Sequence, residues 1–261
     1  GVGVNDMNDR DIQQAAELIL RSDHTTAFTG AGISQESGIP PFRGEDGIWS
    51  KYDPNILSIT NFMYNAEEAW PLIVEIFYDF FAGKEPNRAH QFLAYLEKAG
   101  LLEAVITQNI DNLHQVAGSK EVIEYHGNAK WLICPHCEKE YPVEEKTFQD
   151  LPPRCPDDHT ILKPDFIFFG EPIPEEAARK STWHAERCRV MILVGTTGEV
   201  MPASMIPRMA KGAGATIIEI NTEPSLYTRD ITDLFLQGRA GTVSEKLEQL
   251  LRKSQKSNKP S

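Results

Sequence analysis

The stretch TTAFTGAGISQESGIPPFRG, residues 25–44, decides how this chain is read. Thr25–Thr29 carry no charge and are β-branched, small or aromatic, which suits a short buried strand. Gly30 and Gly32 follow at once, in the G-x-G spacing that lets backbone approach a pyrophosphate. The rest of the dinucleotide fingerprint is missing. Gln35 stands where its third glycine belongs, and no clean acidic residue closes a next strand roughly 20 residues on. Ser34 offers a hydroxyl instead. SGIPPFRG is too rich in glycine and proline to continue a helix, so the turn runs out into a loop. Alone, this stretch also fits a tight structural turn.

Three other segments repeat the first pattern: AVIT at 104–107, VMILVG at 190–195 and ATIIEIN at 215–221. Near-continuous apolar runs separated by helical segments predict a parallel sheet covered on both faces, an α/β class. The helices expected around it are 9–21, with Ile12, Ala15, Ala16 and Ile19 on one face, then 92–100 and 243–253. Residues 46–90 are aromatic-rich (IWSKY, NFMYN, AWPLIVEIFYDFF), which suits helices of a smaller module more than strands. The segment 128–165 has cysteines, charged turns and prolines, and predicts a lobe with little core of its own. The expected division is therefore a large domain built from 9–45, 91–127 and 166–253. It is interrupted by a helical module at 46–90 and a cysteine module at 128–165, and 254–261 is a frayed tail.

With 261 residues, 41% of them apolar, the chain can bury a large core. Its net charge of −12 argues against direct nucleic-acid binding and would suit a lysine-rich partner. Neither a spanning segment nor a signal peptide is apparent, so no membrane association is expected. The four cysteines make a poor disulfide framework, and a reducing, cytoplasmic location is expected. The chain is taken as a monomer.

CPHC at 134–137 supplies two thiols at knuckle spacing, and Cys155 supplies a third. In CPDDHT the slot of a fourth cysteine holds Asp158, with His159 next to it, so the fourth ligand is open between them. A closed site with no base beside it would be structural. TQNIDNLHQVAG, 107–118, places Gln108, Asn109 and Asp111 after a strand, where parallel sheets bind ligands and where polar side chains reach ribose hydroxyls or an amide. His126, followed by a glycine, is a candidate base near neutral pH. His90 and His114 read as packing or helix-surface residues, His24 and His184 as solvated ones, and Cys188 as core.

In order along roughly 17–250, the pieces GAGIS, PFRG, TQNIDNLH, the HG pair at 126–127, the cysteine pair, KPDFIFFGE at 163–171, GTTGEV at 195–200 and the late Ile-Asn pair resemble the sirtuin family of NAD-dependent protein deacylases. The resemblance implies a Rossmann-like NAD-binding domain. A small zinc-binding and helical domain would sit beside it, with acyl-lysine peptide in the cleft between. It makes Gly30, Ala31, Gly32, Ser34, Pro41, Phe42 and Arg43 the NAD loop, and Gln108, Asn109, Ile110 and Asp111 the ribose and nicotinamide pocket. Gly195, Thr196 and Thr197 become phosphate and ribose contacts, Asn221 the adenosine-side contact and His126 the catalytic base, with Asn109 and Asp111 orienting the reacting groups. Phe166, Ile167, Phe168, Gly170 and Glu171, facing Glu199 and Val200, would clamp the peptide by β-addition. Cys134, Cys137, Cys155 and Asp158 would hold a structural zinc. NAD would be consumed, the acetyl group passing to ADP-ribose while nicotinamide and free lysine are released. The helical module lacks the Tyr and Arg, three residues apart, that desuccinylase-like members use for acidic acyl groups, so acetyl or a longer apolar chain is expected. Long-chain deacylation and protein ADP-ribosylation are the alternatives inside the family.

Overall fold

In a computed structural model the protein is described over residues 2–257, with side chains described over 9–256. Six strands form one all-parallel sheet: β1 (Thr25–Thr29), β2 (Ala104–Thr107), β3 (Val122–Glu124), β7 (Val190–Val194), β8 (Thr216–Asn221) and β9 (Leu234–Gln237), in the order β3-β2-β1-β7-β8-β9. Three more, β4 (Gly127–Ile133), β5 (Glu140–Pro142) and β6 (Lys163–Phe166), form a separate antiparallel sheet ordered β5-β4-β6.

Both faces of the large sheet are covered. Successive side chains of a strand point to opposite faces. Ala27, Val105 and Ile192 meet the helices Val2–Arg21, Arg88–Lys98 and Ala240–Ser257 through Ile12, Ile19, Phe92, Leu96, Leu247 and Leu251. Their neighbours Phe28, Ile106 and Leu193 join the other core, with Ala185 and Ile206 of the helices Glu175–Arg187 and Met205–Gly212. This double burial is why the strands read as unbroken apolar runs. The first helix begins at Val2 rather than Asp9. The last continues to Ser257, so the tail expected to fray from 254 is helical through 257, and 258–261 lie outside the described residues.

A third core joins the aromatic segment to the cysteine segment. Phe62, Trp70, Ile73, Ile76 and Phe77 pack with Leu132, Cys134, Cys155, Phe166 and Phe168. Trp70 donates its indole N–H to the Leu162 carbonyl at 2.8 Å, and Tyr78 donates its hydroxyl to the Ala129 carbonyl at 2.9 Å. The cysteine segment therefore shares a core with the helix Ile59–Ile73 and the turn that follows it. Of the two histidines read as solvated, His24 is half-buried and His184 is not solvated. His184 is buried, and its Nδ1 lies 3.0 Å from Nε2 of His24 at the edge where β1 and β7 begin. Among the described residues no helix is long and apolar enough to cross a membrane.

Candidate active site

Because all six strands of the large sheet run one way, their C-terminal ends share one edge. The strand order reverses between β1 and β7, and crevices for ligands open at such a switch point. Gly30 follows β1, Gln108 and Asn109 follow β2, and Tyr125 and His126 follow β3. Gly195 to Thr197 follow β7, and Asn221 ends β8. A cavity of about 880 Å³ opens along this edge, bounded on its other side by Trp49, Leu57, Phe77 and the segment Phe166–Ile173.

Glycine is required where the two central turns cross. Gly195 has φ +64°, and a Cβ there would lie 2.3 Å from the Ile33 nitrogen. A Cβ on Gly32 would lie 2.6 Å from the Gly195 Cα. Without side chains the turns bond directly: Gly30 N–H donates to the Val194 carbonyl at 3.0 Å and Gly32 N–H to the Gly195 carbonyl at 2.8 Å. Residues Ala31–Ser37 then form a 3₁₀ turn instead of a full helix, and Pro40 to Gly44 leave as the loop expected from their composition.

Polar side chains on this edge are braced by one another. Gln108 Nε2 donates to Thr196 Oγ1 at 3.1 Å, and Asn109 Nδ2 donates to the Gly30 carbonyl at 2.9 Å. Asn221 Nδ2 donates to the Thr196 carbonyl at 3.0 Å. His126 Nδ1 lies 3.1 Å from the Gln108 carbonyl, an acceptor only, so Nδ1 carries the proton and Nε2 keeps its lone pair. Burial lowers the His126 pKa below 6.5, partly offset by that carbonyl. The imidazole is thereby held neutral, with a basic nitrogen, at neutral pH.

Most of the residues picked out by sequence line this cavity: Gly30, Ala31, Gly32, Pro41, Phe42, Arg43, Gln108, Asn109, Ile110, His126, Gly195, Thr196, Thr197 and Asn221. So do Phe166, Ile167, Phe168, Gly170, Glu171, Glu199 and Val200. Two do not reach its wall. Ser34 is buried, donates its hydroxyl to Asp111 Oδ2 at 2.6 Å, and lies 3.3 Å from His90 Nε2. His90 Nδ1 accepts the Asn87 backbone N–H at 3.1 Å, which leaves the ring proton on Nε2 for Ser34. Asp111 also accepts from Leu113 N–H at 3.0 Å, and burial raises its pKa more than these bonds lower it. Ser34 thus braces Asp111 from behind, and does not present its hydroxyl to the cavity. Its position one turn past Gly30 gave no sign of this, because His90 and Asp111 arrive from distant segments.

In the segment 163–171, Phe166 and Phe168 bury their rings in the small-lobe core while Phe169 is exposed. Lys163 is buried, pairs with Glu171 at 2.8 Å and donates to the Pro164 and Phe166 carbonyls. Glu171 also accepts the Phe168 N–H at 2.8 Å, so its carboxylate holds the segment's own shape. Sequence reading missed Lys163, and also Thr222–Leu226, which line the far end of the cavity. The Ser225–Thr228 spacing is a capping box, a signal available in the sequence.

Cys134, Cys137 and Cys155 converge with Asp158 so that their ligand atoms all lie within 4.8 Å of one another. The Cys137 and Cys155 sulfurs are 3.7 Å apart, and Asp158 oxygens lie 3.6 Å from the Cys134 sulfur. A tetrahedral ion with bonds of about 2.3 Å needs ligand separations close to these. The donor set therefore fits a metal ion, with Asp158 rather than its neighbour His159 in the fourth place. None of the four lines the large cavity.

Residues 30–202 match the model of the Sir2 family. NAD-dependent protein deacetylase 1 of Pyrobaculum aerophilum is 42% identical over 249 residues, covering 95% of this chain and 97% of the relative. The NAD-dependent protein deacylase of Aeropyrum pernix is 41% identical over 244 residues, covering 92% and 97%. Among solved structures, a mutant Sir2 homologue complexed with ADP-ribose superposes with a TM-score of 0.89 at 36% identity, covering 95% of this chain and 99% of that one. A Sir2 with a p53 peptide and NAD+ gives 0.83 at 37% identity, covering 92% and 98%. This chain belongs to the Sir2, or sirtuin, family.

Proposed function

We propose that the protein is an NAD-dependent protein-lysine deacetylase that consumes NAD and moves the acetyl group to ADP-ribose. The observation that carries this reading is the single cavity in which His126, with Nε2 free to accept a proton, meets the ends of five parallel strands and an apolar wall. The cosubstrate supplies the electrophilic ribose carbon, from which nicotinamide departs. The chain's own residues do the rest. Gly30 to Gly32 and Gly195 to Thr197 offer backbone and hydroxyls to phosphates and ribose at the switch point. Asn109 orients the ribose and the carboxamide, Asp111 holds the turn behind it through Ser34 and Leu113, and His126 Nε2 takes the proton of a ribose hydroxyl. Phe42, Ile110 and Phe168 exclude water from a cation-like centre.

Acetyl-lysine in a peptide backbone lying along Ile167, Gly170 and Val200 is the proposed substrate, bound mainly by main-chain bonds. Arg43 is the one Lys or Arg in the cavity lining among the described residues, and it faces Glu199 at 3.9 Å, which leaves it less suited to an acidic acyl group. The four-ligand cluster, which does not line the cavity, is proposed to hold a structural zinc, which suits a reducing, cytoplasmic location. The test is a mass-resolved assay with NAD and acetyl-, succinyl- and myristoyl-lysine peptides, run beside His126→Ala. Equimolar nicotinamide, O-acetyl-ADP-ribose and free lysine are expected, lowered about 10²–10⁴-fold in the variant. NAD consumption without acyl loss from any peptide overturns the deacetylase reading, and a preference for myristoyl moves it to long-chain deacylation.

A further inference from the structure

Glu219 lies in the middle of β8, two residues before Asn221, and its side chain is completely buried. It occupies the sheet face whose core contains Ile217, Leu193 and Tyr227, where an apolar residue would fit the pattern. Burying a carboxylate costs several kcal/mol unless it is paired or hydrogen-bonded. No ion pair reaches Glu219 among the described residues. It accepts three hydroxyls instead: Ser225 Oγ to Oε2 at 2.5 Å, Thr228 Oγ1 to Oε1 at 2.7 Å and Thr232 Oγ1 to Oε1 at 2.8 Å. All three donors come from one short segment.

That segment shapes the far end of the cavity. Thr222, Glu223, Pro224, Ser225 and Leu226 line it beside Asn221. Ser225 and Thr228 are already committed as acceptors, from Tyr227 N–H at 3.1 Å and Ser225 N–H at 2.8 Å, so each hydroxyl proton is free for the carboxylate. Leu226 N–H reaches the Thr197 carbonyl at 3.1 Å, which links this lip to the turn after β7. A fully satisfied network of charge-assisted bonds in a dry layer is rigid. We infer that Glu219 is a positioning residue for the cosubstrate. It hangs residues 222–226 from the sheet so that they close over the adenosine end of NAD, while making no contact with the reacting atoms or the peptide.

This inference rests on the NAD reading of the cavity, and the two can fail separately. The measurement is ADP-ribose binding by calorimetry, with steady-state constants for NAD and for acetyl-lysine peptide, on wild type, Glu219→Ala, Glu219→Gln and Thr232→Val. In Glu219→Ala the ADP-ribose Kd and the NAD KM are expected to rise about tenfold or more, with kcat at saturating NAD and the peptide KM within twofold. Glu219→Gln, which keeps shape and one acceptor, should recover most of the loss. Thr232→Val, which deletes one donor outside the lip at nearly constant volume, should give a smaller rise of the same kind. If Glu219→Ala does not fold, Thr232→Val and Glu219→Gln carry the test. A lowered Tm with an unchanged NAD KM, or equal rises in the NAD and peptide KM, overturns the positioning role. Absence of ADP-ribose binding by the wild type overturns the NAD reading, and this inference with it.

Discussion

Ile192 and Leu193 are consecutive in β7, point to opposite faces, and are both fully buried under helices. Trp131 and Leu132 are consecutive in β4, and while Leu132 is fully buried Trp131 is 37% exposed. The large sheet is thus sealed on both sides by apolar layers, whereas the small sheet has one covered face. The small lobe makes up the difference by borrowing aromatic rings from the helical segment and by gathering three thiols and a carboxylate at its end. A domain with two covered faces depends on burial. A one-faced lobe depends on its ties.

Removing a tie should therefore break the small lobe and spare the sheet. Cys155→Ala is expected to lose the zinc proposed for this cluster, measured by metal analysis, and to abolish activity. It should also change Trp70 fluorescence while far-UV circular dichroism of the parallel domain is largely kept, since structural zinc contributes on the order of 10 kcal/mol in small modules. Simultaneous loss of all secondary structure would refute the separation. In the large domain the matching experiment is Leu247→Ala, which leaves a cavity in the core that the last helix shares with β8. It should cost about 2–5 kcal/mol in chemical denaturation with metal content unchanged.

Acid should act on the same domain more gently, through His90 and His114, which stand 5.0 Å apart edge to face. Burial lowers their pKa values to about 4 and about 3, and the neighbouring His90 adds to the fall at His114. The unfolded chain therefore takes up these protons first, near 6.5, and the native state only at lower pH. Stability is full above about pH 6.5 and declines progressively as pH falls toward 4. His90→Gln should flatten that decline in a series of Tm measurements at different pH. An unchanged slope would assign the acid sensitivity elsewhere.

How far the sequence could be read varied with how local the cause was. β1, β2, β7 and β8 were legible because double burial makes each an uninterrupted apolar run. The three-residue β3 and the half-exposed β9 carried too little pattern. Gly30 and Gly32 were legible as a turn chemistry and His126 as a candidate base, while Gly195 entered through the family resemblance. The bonds that tie Ser34 to His90 and Asp111 were not legible because these partners lie 56 and 77 residues away in the chain. His184 was misread for a similar reason, since a polar helix gives no notice that one of its histidines faces a second histidine 160 residues earlier.

By itself the sequence determined the α/β class, the family, the consumed cosubstrate expected from it, and the residue types at the cleft. The class follows from periodicity and the residue types from motifs whose chemistry is local, while the family and its consumed cosubstrate come from the resemblance those motifs carry in order. Only the tertiary structure decided which of those residues face the cavity and which stand behind it. It alone showed that Asp158 completes the cysteine cluster, and that the cysteine segment and the aromatic segment share one core. It also showed that Glu219 is a buried carboxylate held by three hydroxyls. Each of these depends on groups distant in sequence meeting where water is excluded, and there a hydrogen bond or a charge costs far more to leave unpaired than it does at the surface.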